Sequence, residues 1–218
     1  HHAFYQCAAL EKVTIPSSVT TISDDVFYGC SSLTQIIIPS SVTSIGCCSF
    51  CGCVSLKQIE IPSSVTLIGK SAFKGCKSLE KISLPSIKSF EDFVFGDCSS
   101  LKEISIPSSI NSFGNGIFKN IESIEIKGDI KKFPNNLFKE NDKLKKISIL
   151  APITCIEKYT FYQCCNLNEV SLPLSLKSIG FRAFFNCKSL SIISIPSNLK
   201  FIDREAFFQC SSLTKITL

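Results

Sequence analysis

The chain has 218 residues, 44% of them hydrophobic, with 23 Lys and Arg against 18 Asp and Glu, a net charge of +5 and no Met. It holds no apolar run of the ~20 residues that would cross a bilayer as a helix, no secretory hydrophobic segment, no low-complexity linker and no block of like charge, so one elongated domain is expected. Its only histidines are His1 and His2, which read as a tag remnant; the usual general base near neutral pH, and the usual partner of a Ser or Cys nucleophile, are thus missing.

From Phe4 onward one phrase recurs. Its anchors are Phe4, Phe27, Phe50, Phe73, Phe95, Phe118, Phe138, Phe161, Phe184 and Phe207, spaced by 20 to 23 residues, and a period of that length is the mark of a solenoid. The copy from Phe27 to Gly46 reads FYGCSSLTQIIIPSSVTSIG. Ile36 and Ile38 stand at strand period, and Pro39, lacking an N–H, ends the strand. Pro16, Pro62, Pro85, Pro107, Pro173 and Pro196 fall at the same place, so the strands stack in parallel about 4.8 Å apart. Val42 and Ile45 follow a Ser-Ser turn and return the chain across the far wall. Phe27 points inward from a short turn or a single helical turn, and Cys30 fills the corner before the next strand. Such a coil is too short to enclose a core and gains stability only when its neighbour covers it. The coil from Phe118 to Phe138 is three residues short and lacks the corner Cys, while the next has Asn141 at the Cys place and Leu150 at the Pro place. Local irregularity is expected there.

The stretch from Ser64 to Leu79, SVTLIGKSAFKGCKSL, resembles the BspA-like leucine-rich repeats, with their pattern I-P-x-x-V-x-x-I-G-x-x-A-F-x-x-C-x-x-L, and the resemblance runs over residues 3–218. It implies an α/β, right-handed leucine-rich-repeat solenoid with one parallel β-sheet on the concave face and turns and short helical segments on the convex face. The array would be a single solenoid of about ten 20–23-residue repeats cut from a longer one. The resemblance also implies a non-enzymatic adhesin, cell-surface or secreted, binding a host matrix protein such as fibronectin or fibrinogen. The shared motif consists of core positions and so identifies no binding residue.

Charge argues against a nucleic-acid partner. The outward strand positions carry Lys12, Lys57, Lys81, Lys102, Lys145, Lys146 and Lys215 against Glu11, Glu60, Glu80, Glu103, Glu122, Glu125 and Glu169, and no basic groove with interleaved aromatics appears. The carboxylate pairs Glu122 with Glu125 and Asp24 with Asp25 read as solvated charges. Phosphate loops, dinucleotide fingerprints and His-containing metal motifs are absent, so no catalytic, cofactor or metal residue is expected, nor direct membrane insertion of this segment.

Of the 13 cysteines, Cys7, Cys30, Cys53, Cys76, Cys98, Cys164, Cys187 and Cys210 share one repeat position and read as a column of buried free thiols. Side chains stacked in register rarely meet the torsion of a disulfide. Cys47, Cys48 and Cys51 cluster with Cys53, yet Phe50 and Cys53 face inward, so exposed thiols prone to oxidation are expected rather than a zinc site. Cys155 and Cys165 complete the set.

Two surfaces are open to a protein partner. On the strand face, Glu122, Glu125, Lys145 and Lys146 form a charged step. On the opposite side the residue after the anchor is Tyr5, Tyr28, Tyr162, Phe185 or Phe208, and the last three are joined by Tyr159 and Phe181. Each ring either lies flat and seals its own turn, the expected arrangement, or is exposed in an apolar stripe that marks an interaction surface. The rival to an adhesin is a cytoplasmic scaffold, which free thiols fit.

Overall fold

The computed structural model describes residues 2–84, 86–110 and 112–217; His1 of the expected tag remnant and Pro85 of the proline series lie outside them. The chain divides into two compact units, His1–Lys119 and Asn120–Leu218, built from the same coil.

The first unit contains β1 (Lys12–Thr14), β2 (Thr21–Ile22), β3 (Gln35–Ile37), β4 (Ser44–Ile45), β5 (Leu67–Ile68), β6 (Lys81–Ser83), β7 (Ser89–Phe90), β8 (Glu103–Ile106) and β9 (Ser112–Phe113). β1 pairs with β3 and β6 with β8, both parallel, with a parallel bridge from Gln58 to Lys81 between them. Each places an isoleucine or valine inward between two outward residues, as Ile36 between Gln35 and Ile37. A second parallel ladder of two-residue strands runs β2, β4, β5, β7, β9. The single sheet expected from sequence is therefore accompanied by a second, shorter-runged one.

The prolines do more than end strands. Val42 N–H donates to the Pro39 carbonyl at 3.0 Å and Val65 N–H to that of Pro62 at 3.0 Å, closing the turn. The second serine ties the turn to the preceding coil: Ser41 Oγ donates to the Val19 carbonyl at 2.7 Å and Ser64 Oγ to that of Val42 at 2.6 Å.

The expected short helical segments are not found among the described residues; turns occupy that side throughout. The cause is backbone handedness. Two residues before each anchor Phe, Asp25, Cys48, Ser71 and Phe93 have φ of 51–57°, and two residues after it Gly29, Gly52, Gly75 and Asp97 have φ of 60–75°. Two left-handed residues four apart break any helix. They also turn N–H groups along the stack: Cys48, Phe50 and Gly52 donate to the carbonyls of Lys70, Ala72 and Lys74 at 2.8–2.9 Å, and Ser71, Phe73 and Gly75 to those of Asp92, Val94 and Gly96 at 2.8–3.0 Å. A helix would have spent those donors internally.

Inside, the anchor rings form a column. Phe27, Phe50, Phe73 and Phe95 stack with centroids 5.3–5.8 Å apart. Beside it each corner thiol donates to a carbonyl of the coil before: Cys53 to Phe27 and Cys76 to Phe50 at 3.2 Å, Cys98 to Phe73 at 3.1 Å. Cysteine here is a small apolar side chain with one useful donor. Six of the eight column cysteines are buried; on the outermost coils Cys210 is only partly buried and Cys7 is exposed.

The second unit contains β10 (Ser123–Gly128), β11 (Lys146–Ile149), β12 (Cys155–Ile156), β13 (Glu169–Ser171), β14 (Ser178–Ile179), β15 (Ile192–Ser194), β16 (Phe201–Ile202) and β17 (Lys215–Thr217). Its ladders are β10–β11–β13, β15–β17 and β12–β14–β16, all parallel. The irregularity falls where the sequence places it. β10 is six residues long, and no two-residue strand is present between it and Lys139 among the described residues. Asn141, buried at the Cys place, donates from Nδ2 to the Ile121 carbonyl at 3.5 Å, so an amide also ties to the preceding coil, at its corner residue rather than at its anchor Phe118.

Burial pushes the Cys53, Cys98 and Cys164 thiols from 9.0 up to about 12. The folded state keeps these protons where the unfolded chain has lost them, so the contribution is complete below the unfolded value and is lost as pH rises through the folded one, at about 1.4 kcal/mol per pKa unit. The urea midpoint should therefore fall between about pH 8 and about pH 10.5, and Cys98→Ala should flatten that slope; an unchanged slope in the variant would contradict the assignment.

Candidate functional site

The strand face of the second unit is self-neutralised. Lys145 Nζ lies 3.0 Å from Glu122 Oε2, Lys146 Nζ 2.6 Å from Glu169 Oε1, and Lys127 Nζ 2.9 Å from Glu125 Oε1. In the first two pairs outward positions on adjacent rungs meet at strand spacing, so opposite charges one coil apart find each other, while the third pair lies within β10. Glu122, Glu125, Lys145 and Lys146 thus do not form a bare step of opposite sign. Exposed pairs of this kind contribute about 0–1 kcal/mol each and leave little charge to offer a partner.

The turn side of the same unit carries a ridge. Tyr162 and Phe185 stack at 4.9 Å with planes 16° apart, and Phe185 and Phe208 at 5.3 Å and 19°. These side chains follow the anchors of successive coils, so their separation is close to the coil spacing, at which aromatic rings stack face to face. Tyr159 stands edge-on to Tyr162 at 5.5 Å and to Phe181 at 5.4 Å. Neither arrangement foreseen from sequence holds. Tyr162, Phe185 and Phe208 lie face to face from coil to coil rather than flat over their own turns, and the group is only partly covered, with Tyr159, Tyr162, Phe181 and Phe185 half-buried and Phe208 51% exposed.

Into this ridge fit the only two arginines of the chain. The Arg182 guanidinium lies 4.9 Å from the Phe181 ring centroid and 5.0 Å from that of Phe185, and Arg204 lies 4.9 Å from Phe181. Arg182 Nε donates to Glu205 Oε2 at 2.7 Å, a bond that raises the guanidinium pKa further. Lys139 Nζ sits 5.6 Å over Tyr162. A reading that collects aromatic residues alone, Tyr159 and Phe181 included, misses Arg182 and Arg204. Their place two and three residues before it is the available signal, because the turn closed by Phe185 N–H to the Arg182 carbonyl, 3.2 Å, brings both positions to one edge.

Elsewhere the expectations need adjustment. Cys47 is exposed, but Cys48 and Cys51 are half-covered by the adjoining coils. Asp24 is not merely solvated: its Oδ1 accepts the Cys47 N–H at 2.6 Å and links two coils. Among the described residues no group of three or more His, Cys, Asp or Glu is placed to hold a metal ion, and no helix is long and apolar enough to cross a membrane.

A family model described as a BspA type leucine rich repeat region matches residues 1–125 and 131–218 in six copies. A leucine-rich repeat protein from Bacteroides ovatus is 31% identical over 99% of this chain and 68% of its own, with a TM-score of 0.52. The Treponema pallidum leucine-rich repeat protein is 28% identical over 82% of this chain and 77% of its own, at 0.56, and one from Eubacterium ventriosum 29% over 95% and 60%, at 0.52. No protein of curated function matches.

The ridge lies outside the core, so its loss should barely affect folding. Arg182→Ala is expected to leave the unfolding midpoint almost unchanged, whereas Phe184→Ala in the ring column should cost about 3–5 kcal/mol. Equal losses in urea titrations would show the ridge to be a structural element.

Proposed function

Because this chain belongs to the BspA-type leucine-rich repeat family, we propose that it is a non-enzymatic protein-binding module of the cell surface, an adhesin that meets a host or matrix protein through the ridge of Tyr159, Tyr162, Phe181, Arg182, Phe185, Arg204 and Phe208. The carrying observation is compositional and spatial together: both arginines of the chain stand among half-buried aromatic rings on one edge. Tyr and Arg are the residues on which protein interfaces concentrate their energy, and rings already stacked lose little freedom on binding. The strand face, its charges paired rung to rung, offers a weaker surface. Several copies engaging at once would raise a modest affinity per site.

A cytoplasmic scaffold is the second reading, and the free thiols favour it, above all exposed Cys7 and Cys47. The buried column weighs less, since thiols held near 12 are almost entirely protonated at neutral pH and react slowly.

Reduced, monodisperse protein should bind immobilised fibronectin or fibrinogen at micromolar concentration. Phe185→Ala and Arg182→Ala should each weaken binding by about 10- to 30-fold, while Glu122→Gln and Lys145→Gln leave it within about 3-fold. No binding to either protein, or greater loss from the strand-face changes, would refute the reading.

A further inference from the structure

Cys48-Ser49-Phe50-Cys51 sets two thiols at the ends of a turn closed by the Cys51 N–H to Cys48 carbonyl bond of 3.0 Å. Such a turn holds its terminal Cα atoms within about 7 Å, and a disulfide spans about 4.4–6.8 Å. The repeat fixes where the side chains go. Counted from the anchor, Cys48 and Cys51 occupy the places of Tyr159 and Tyr162, whose rings touch at 5.5 Å in their own coil. In the coil of Phe50 the two thiols take those same places, at the two ends of the closed turn.

Neither thiol has a part in the core. Between them Ser49 and Phe50 point inward and are fully buried, whereas Cys48 and Cys51 are only half-covered. The column member two residues on, Cys53, is committed to the Phe27 carbonyl at 3.2 Å. Lys74 on the following coil is near enough to favour a thiolate at either sulfur, against the opposing effects of burial and of Asp25.

We propose that Cys48 and Cys51 form a redox-modification site, a dithiol that closes to an intramolecular disulfide by exchange with a small-molecule disulfide and reopens with a small thiol. One cysteine, as its thiolate, attacks the small disulfide and releases one small thiolate, leaving a mixed disulfide. The second cysteine then attacks the protein sulfur of that bond and releases the other. Two electrons pass from the protein sulfurs to the reagent, and the two cysteine protons end on the two small thiols. Burial raises both thiols, Cys51 to about 11, so exchange is slow at neutral pH and quickens as pH rises. The pair is a bridge-former rather than a disulfide catalyst. Closure ties the turn that carries Phe50 and removes two thiols from the surface beside Cys47.

Native protein treated with oxidised glutathione at about pH 8.5, then alkylated, digested and analysed by mass spectrometry, tests this. A Cys48–Cys51 link is expected, with the mass of two hydrogens lost there and glutathione retained on Cys47. Cys48→Ser, which copies Ser71 of the next coil, should leave glutathione held on Cys51. Cys51→Lys, which copies Lys74, should leave it on Cys48 and serves if the first variant fails to fold by circular dichroism. Glutathione kept on both cysteines of the unaltered protein, a link to Cys47 instead, or two unmodified thiols after Cys47 has reacted would each overturn the proposal.

Discussion

Within each unit, successive coils leave backbone donors pointing along the stack, and the neighbouring coil supplies the acceptors. On the turn side the N–H groups of Cys48, Phe50 and Gly52 meet the carbonyls of Lys70, Ala72 and Lys74, and on the strand side short parallel ladders do the same. A buried backbone group without a partner costs as much as a lost hydrogen bond. A coil on its own would therefore carry a set of unmet donors and a row of bare phenylalanine and isoleucine side chains. Left-handed conformations at Cys48, Phe93, Tyr159 and Arg182, each costing about 1–2 kcal/mol for a residue with a Cβ, persist because they aim those donors.

The same requirement shapes the surface. Since residue n of one coil lies over residue n of the next, whatever the sequence places at an outward position becomes a column. Opposite charges there neutralise each other, as Glu122 with Lys145; aromatics stack, as Tyr162 with Phe185 and Phe208; thiols meet other residues at coil spacing. Binding character in such a protein is thus a property of columns rather than of single residues. The ridge differs from the strand face because stacked rings and guanidinium groups retain attractive faces and edges, whereas paired charges cancel.

The repeat and its interior were legible from sequence. Phe, Cys, Leu and Ile recur at fixed offsets, a proline follows the longer strand in most coils, and residues such as Phe73, Cys76, Leu79 and Ile82 are buried as the pattern requires. The short coil before Phe138 and the replacement of Cys by Asn141 marked the irregular middle correctly. What the sequence concealed was backbone handedness. Gly29, Gly52 and Gly75 hint at it, but Asp97, Gln163 and Asn186 fill the same place elsewhere, so six residues that resemble a helical turn are instead bent twice. Without that bend the positions before and after the anchor look unrelated, and the meeting of Arg182 with Phe185 cannot be read off. Side-chain periodicity reports which face is buried; it does not report where N–H groups point.

Mutual dependence of coils is the central claim, and native-state hydrogen exchange measures it most directly. Within the unit His1–Lys119, the amides of Phe50, Phe73 and Phe95 all donate to a neighbouring coil. If coils stand only together, these amides exchange through one shared opening. A mild core substitution such as Ile68→Val, worth about 0.5–1.5 kcal/mol, then lowers the protection of all three by the same factor. Loss of protection confined to the coil of Phe73, with Phe50 and Phe95 unchanged, would contradict the account.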